Sequence, residues 1–424
     1  MFGNVPLIVV ESTAALEEIV ASLVDEPVIG VDTESDSFHH YREKVCLIQL
    51  SDRTRDIIVD PLKCEDISSL GALLANPDQV KVMHGADYDV VSLKRDFDFD
   101  TRGLFDTLIA ARFLNFERVG LADLIESVFG HHIEKKYQRH DWSLRPLKQE
   151  HMDYARGDTH FLLALREYLV RRLEKCGRTA AADEECRLLE RREWTGRQRS
   201  DADFLRVKGA GALTDSDRRV LREVWTYRDS EAQRLDRPAF KVIPDSVLLE
   251  LSTRRPVSTV ELKSIIRGNS SLMRHHGAAL VAAVIAGIED ENPLPKAPPR
   301  GRTLAPLPRR AQHVMEALRA WRNRKVIGEG LPPMLVASNA ILREVARTRP
   351  ETHEALQDVA GLRVWQIEAY GDELVEVCKN AATPAASSSG SSKRRRRRRR
   401  KKSANADGGE SSSAPSGAAP NESS

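Results

Sequence analysis

Residues 213 to 380 repeat themselves without a gap at a constant offset of 94. Tyr227-Arg228 returns as Trp321-Arg322, Pro238 as Pro332, Val242 as Val336, Leu248 as Leu342, Arg255-Pro256 as Arg349-Pro350, Leu262 as Leu356, and Gly277 and Leu280 as Gly371 and Leu374. A repeat of this regularity means one small unit made twice. Each copy spans about 70 residues and reads as several short helices with proline-marked turns, enough for a small core of its own. We expect two all-α domains, at 210–290 and 310–380. Between them, 291–309 carries six prolines and reads as a stiff linker. Any active site then belongs to the first 200 residues.

That first region changes period. Val28-Ile29-Gly30-Val31, Val45 to Leu50 and Asp56 to Asp60 are apolar runs with turn residues between them, the pattern of three neighbouring strands in a meander. Val80-Lys81-Val82-Met83 reads as a further buried strand before His84-Gly85 opens a helix. Helix-like segments dominate the rest, so the fold class is α/β. Residues 171 to 200 form a charged helical stretch that connects or buttresses domains, with Glu184, Arg187, Glu190, Arg191 and Glu193 spaced for pairing along one helix.

The five cysteines form no Cys-x-x-Cys pair and are odd in number, which fits a reducing compartment and leads us to expect a cytoplasmic protein. No export segment or membrane span is expected, since no stretch approaches about 18 apolar residues. Charge is unevenly placed. Lys393 to Lys402 are ten consecutive basic residues; without them and the three acids that follow, 55 basic residues face 60 acidic ones, a net of about −5. Residues 381–424 cannot bury a core and should be a disordered basic tail, able to add salt-sensitive phosphate binding, aid solubility or serve in nuclear targeting. If the folded part handles nucleic acid, local basic surfaces or metal ions must offset the phosphates.

Asp32-Thr33-Glu34 directly follows the apolar run ending at Val31, and positions i and i+2 of a strand share a face. Two adjacent anions at a buried strand end call for a cation, and hard oxygen ligands favour Mg²⁺ or Mn²⁺; alone, the pair also fits a solvated strand-end turn. Tyr154 and Asp158, four residues apart, share a helical face, which by itself also describes an ordinary amphipathic helix. Asp87 and Asp89 follow His84-Gly85, where acids also serve as helix-dipole complements.

Together, Asp-x-Glu on a strand, Asp on a central helix and Tyr-x-x-x-Asp on a late helix resemble the DEDD exonuclease superfamily in its tyrosine-bearing branch, and within it the ribonuclease D family. The surroundings agree: Lys44 to Leu50, Leu104-Phe105-Asp106-Thr107, Gln138, Asp141-Trp142-Ser143 and Arg145-Pro146-Leu147. The repeated modules look like HRDC domains. The resemblance implies a ribonuclease H-like 3′-5′ exonuclease domain over 1–200, with a mixed sheet flanked by helices, followed by the two HRDC-like domains. It also implies Asp32, Glu34, Asp89 and Asp158 as ligands of two divalent metal ions, Mg²⁺ or Mn²⁺, and Tyr154 as the residue that orients the attacking water. Asp87 reads as a decoy, Asp106 as structural support, and His84 either as a nucleic-acid contact or as a buried, hydrogen-bonded histidine. Arg156 and Gly157 depart from the family pattern and should loosen their helix. The implied activity is hydrolysis of RNA from the 3′ end to nucleoside 5′-monophosphates, with transfer RNA precursors the expected substrate. A DNA exonuclease, an exosome-associated nuclease and a silent RNA-binding scaffold are the alternatives. Arg228, Arg234, Arg237, Lys241, Arg254, Arg255 and Lys263 make the first module locally basic, as Arg319, Arg322, Arg324 and Lys325 do the start of the second, which suits nucleic-acid contact.

Overall fold

A computed structural model describes residues 5–196, 200–266, 268, 270–296 and 306–382. The basic tail from 383 onward and the linker residues 297–305 lie outside the described residues.

Six strands form one sheet: β1 (Leu7–Val10), β2 (Val28–Ser35), β3 (Val45–Ser51), β4 (Asp56–Val59), β5 (Val80–Met83) and β6 (Leu104–Asp106), in the order β1-β4-β3-β2-β5-β6. β3 runs antiparallel to β2 and β4, as the meander requires, while β1 on β4, β5 on β2 and β6 on β5 are parallel. The sheet is therefore mixed. All seven residues of β3 are buried, as an apolar run without alternation predicts for a strand covered on both faces.

Alternation along β2 sends its residues to two different layers. Ile29 and Val31 join a core with the helices α1 (Thr13–Leu23), α2 (Ser68–Ala75) and α3 (Asp87–Phe97). Gly30, Asp32 and Glu34 share the other face. After α4 (Thr107–Phe113) and α5 (Leu121–Phe129), that face is covered by α6 (Gln149–His160) and α7 (Leu162–Lys175). A Cβ on Gly30 would stand 3.2 Å from the Thr159 carbonyl oxygen and 3.4 Å from Leu163 Cδ1, so the missing side chain lets the α6–α7 junction settle onto β2.

Arg156 and Gly157 do not loosen α6, contrary to the sequence expectation. Arg156 is buried and donates to Asp56 Oδ2 from Nε at 2.8 Å and from Nη2 at 2.5 Å, and to the Val5 carbonyl at 2.9 Å. His160 Nδ1 meets the same Asp56 oxygen at 2.9 Å, and Ser51 Oγ donates to Asp56 Oδ1 at 2.8 Å. The departure from the family pattern is an anchor.

The first repeat comprises α9 (Asp215–Arg234), α10 (Ala239–Val242), α11 (Asp245–Arg254), α12 (Thr259–Ile265) and α13 (Ser270–Glu289); the second comprises α14 (Arg309–Glu329), α15 (Pro333–Ala337), α16 (Asn339–Thr348) and α17 (Val364–Ala382). Equivalent residues do equivalent work. Arg228 Nη1 donates to the Ile243 carbonyl at 3.1 Å and Arg322 Nη1 to the Ala337 carbonyl at 2.8 Å, and Arg255 and Arg349 end their helices at φ 47° and 50°, each just before proline. These bonds correct part of the basic-surface reading, while Arg237, Lys241, Lys263, Arg319 and Arg324 stay exposed. Arg228 is buried, Arg255 holds Asp217 at 2.6 Å, and Arg234, Arg254 and Lys325 pair with Glu231, Glu250 and Glu373. α13 is long and apolar enough to cross a membrane, which the sequence reading did not anticipate, yet Leu272, Leu280, Val281 and Val284 lie in the core of the first repeat.

Both repeats dock on the α/β domain. Tyr41, from the β2–β3 loop, donates its hydroxyl to Asp229 at 2.9 Å, while its N–H donates to Asp236 at 3.1 Å. On the second repeat, the α8 helix (Thr179–Glu190) uses Glu184 to accept the Val364 and Trp365 N–H groups at the start of α17, each at 2.9 Å. Glu185 accepts from Arg363 at 3.1 Å, and Glu190 accepts the Leu104 N–H at 2.8 Å. The charged stretch thus buttresses domains as expected, but through bonds across elements in place of a ladder along its own helix.

Candidate active site

β2 carries Asp32 and Glu34 to one wall of a cavity of about 340 Å³, and α6 brings Tyr154 and Asp158 to the facing wall. His84, the Gly120–Ala122 turn and Ile133, Glu134, Lys135 and Gln138 complete the lining. Asp89 comes from the other layer. It sits in the first turn of α3, 8% exposed, and its Oδ1 accepts the Thr33 hydroxyl at 2.5 Å across the end of the sheet. Asp87 points away and pairs with Arg192 at 2.9 Å, so the structure separates the two acids as the sequence reading did.

Asp106 is the structural support expected of it. Its Oδ1 accepts from the N–H groups of Gly85 and Leu108 at 3.0 and 2.8 Å, and its Oδ2 from that of Ala86 at 2.8 Å. One carboxylate therefore caps α4 and pins the turn that aims α3. Gly85 takes φ 68° there, a value side chains rarely tolerate. His84 is the buried, hydrogen-bonded histidine of the second reading, and it also faces the cavity. Its Nδ1 lies 2.9 Å from the hydroxyl of Thr107, which itself donates to the Met83 carbonyl at 3.0 Å, so Nδ1 carries the proton. Burial lowers its pKa and keeps the ring neutral.

The electrostatics of the acids are one-sided. Burial, then the charges of Asp89, Asp158 and Glu34, hold Asp32 far above the ordinary carboxylate range. Glu34 is raised by burial and by Asp158 and Asp89. Burial and Asp89 push Asp158 up to about 7; burial lifts Asp89 to about 6 against the lowering effect of Thr33. No Lys or Arg is among the leading causes of these shifts. Burial and the same carboxylates drive the Tyr154 phenol well above its usual value, so it stays protonated and acts as a donor.

Four clustered carboxylates without a countercharge fit hard divalent cations by donor chemistry. Among the described residues no three His, Cys, Asp or Glu side chains stand as a ready-made metal cage. The match lies in charge and ligand type.

The sequence reading missed the scaffolding: Thr33 behind Asp89, Asp56 beneath Arg156, and Arg145, whose Nε and Nη2 reach the two oxygens of Asp60 at 2.6 and 2.8 Å. Arg145 thereby fixes the loop whose Trp142 packs under Ala155 and beside Tyr154. Thr33 lay inside a recognised motif, and its place between two acids was the available signal. Asp56 and Asp60 had none.

Fold and site together define a nuclease of the exonuclease class. The 3'-5' exonuclease family profile matches residues 7–174, and the HRDC domain profile matches 217–284 and 311–378. A ribonuclease D from Granulibacter bethesdensis is 31% identical over 382 residues, covering 86% of this chain and 91% of its own. The exosome complex exonuclease RRP6 of Saccharomyces cerevisiae is 30% identical over 301 residues, 67% of this chain, but the chain spans only 41% of that relative's length. The crystal structure of Escherichia coli RNase D shares the fold at a TM-score of 0.62 and 23% identity, over 88% of this chain and 98% of that one. The chain belongs to the ribonuclease D family.

Proposed function

We propose that the chain is a metal-dependent 3′-5′ exoribonuclease that hydrolyses RNA from its 3′ end to nucleoside 5′-monophosphates. The observation that carries this reading is the convergence of Asp32, Glu34, Asp158 and Tyr154 on one cavity, with Asp89 held against Thr33 from the other layer of the sheet and its charge acting on Asp32 and Asp158. Asp32, Glu34, Asp89 and Asp158 would hold two divalent ions, Mg²⁺ or Mn²⁺. Such ions supply a water activated as nucleophile and stabilise charge on the departing oxygen. Tyr154, protonated and wedged by Trp142 and Tyr137, donates a hydrogen bond that orients the attacking water without taking its proton. Lys135 and Gln138 line the same cavity, where they would meet the substrate backbone, and neutral His84 would offer Nε2 as an acceptor to the terminal nucleotide.

Transfer RNA precursors are the substrate that the ribonuclease D likeness favours. The two-repeat layout and 91% coverage of the Granulibacter relative support that reading over an exosome-bound nuclease, whose yeast representative is covered by less than half. The repeats and the basic tail add RNA or protein contacts, and the chain works in the cytoplasm. Matched 5′-labelled single-stranded RNA and DNA, incubated with Mg²⁺, Mn²⁺ or EDTA, test the reading. A metal-dependent ladder on RNA alone supports it; equal attack on DNA favours a repair nuclease; binding without cleavage favours a scaffold.

A further inference from the structure

Gln49 lies in the middle of β3 with no solvent exposure, and neither atom of its carboxamide has a hydrogen-bond partner in the protein. It is the cross-strand partner of Asp32. Side chains directly opposite in an antiparallel pair project from the same face, with Cβ atoms about 4.5–5.5 Å apart. The amide therefore emerges beneath α6, on the side of the sheet that holds the carboxylates. Its neighbours on that face are settled. Leu47 packs with Trp142 and Ala155, and Ser51 donates to Asp56 and meets Thr159 Oγ1 at 2.7 Å.

A buried amide left without partners is unfavourable, and Leu or Met would fill this position among Leu47 and Ile58 without that penalty. The polar group directly opposite Gln49 in register is Asp32. Asp32 offers acceptor oxygens, and a hydrogen bond from the Thr33 backbone favours its charged form. We propose that Gln49 is the positioning residue of Asp32: its Nε2–H donates to the Asp32 carboxylate, directly or through one buried water, and fixes that carboxylate's orientation toward a divalent ion. The inference rests on the metal-dependent reading given above.

Gln49→Met keeps the volume and removes the donor. Titration of the purified full chain with Mn²⁺ alone, followed calorimetrically, should show affinity about tenfold or more weaker than in the wild type, the scale at which supporting residues act on metal sites. Thermal stability in EDTA should be unchanged or higher, because an unsatisfied group has gone; Gln49→Leu should behave alike. A wild-type chain that binds no Mn²⁺ would overturn the metal-dependent reading and this inference with it. Binding by the wild type that a folded Gln49→Met or Gln49→Leu chain leaves unchanged would overturn the pairing alone. On the wild-type chain itself, the Gln49 side-chain NH₂ resonances should exchange slowly and shift on Mg²⁺ addition; rapid exchange with no shift contradicts the proposal without any variant.

Discussion

The Thr33 hydroxyl and the Asp89 carboxylate meet at 2.5 Å across the end of the central strand. The residue between the two acids of β2 thus holds the third acid, which arrives on a helix of the opposite layer. One strand end organises three of the four carboxylates. Thr33→Val removes the donor with little change of volume and should reduce turnover about ten- to a hundredfold with the fold retained, whereas Thr33→Ser should stay close to wild type. Initial rates on a short RNA at saturating Mg²⁺ provide the comparison.

The anchor under α6 predicts a stability effect with no change in the acids themselves. Arg156→Ala leaves Asp56 buried without its guanidinium, and breaking such a pair costs about 3–5 kcal/mol. Arg156→Lys should recover part of this at most, since Nε and Nη2 both reach Asp56 and Nη2 also holds Val5. Thermal unfolding should show Arg156→Ala far below wild type; a midpoint within about two or three degrees of wild type, the scale of an ordinary surface substitution, would remove the anchor from the account.

The raised carboxylates make a pH prediction. An acid whose folded pKa lies above its unfolded value binds its proton more tightly when folded, so its contribution to stability is present below the ordinary carboxylate range and is lost as pH rises through the folded pKa. For Asp158 that window runs from about 4 to about 7. In EDTA at pH 7.5, Asp158→Asn should be more stable than wild type, by roughly 1–2 kcal/mol after allowance for partial solvent screening, and the advantage should vanish near pH 4. Mn²⁺ should stabilise the wild type at pH 7.5 far more than the variant. Equal stability of the two chains across the whole range would contradict the description of the site as an uncompensated anionic cluster.

The docking of the first repeat gives a prediction about local opening. Asp236 accepts the Tyr41 N–H and lies 2.6 Å from His40 Nδ1, while His40 Nε2 lies 2.9 Å from Ser143 Oγ. Asp236→Ala should therefore raise amide exchange in the β2–β3 loop and around residues 139–145 together, leaving β3 protected. Exchange confined to the repeat would mean that the contact does not reach the cavity loop.

How much of this was legible depends on the range of each signal. The strands of the meander and the ungapped repeat were readable because each rests on local spacing, and the five candidate site residues could be named because the family resemblance joins three spacings that are ambiguous alone. Asp89 was separable from Asp87 only through its distance from His84-Gly85, and the structure gives the reason, since two residues of rotation around α3, about 200°, turn Asp87 to Arg192 and solvent. Asp56, Asp60 and Gln49 were not legible. Their partners lie 100, 85 and 17 residues away, and nothing in a local pattern distinguishes an acid that closes a turn from one that receives a buried arginine. The same limit misread Glu184, whose partners are backbone N–H groups 180 residues on. It also misread Arg228 and Arg322 as part of a basic face of the repeats, since both turn to carbonyls that charge counting cannot see.

The central claim, that this carboxylate cluster hydrolyses RNA from the 3′ end, is tested most directly by following 5′-labelled RNA and identifying the released nucleotide, with wild type and Asp32→Asn run side by side in Mg²⁺. The account predicts stepwise shortening and nucleoside 5′-monophosphates with the wild type, and loss of nearly all turnover in a folded Asp32→Asn chain. Full activity in Asp32→Asn, or undiminished cleavage in EDTA, would contradict it.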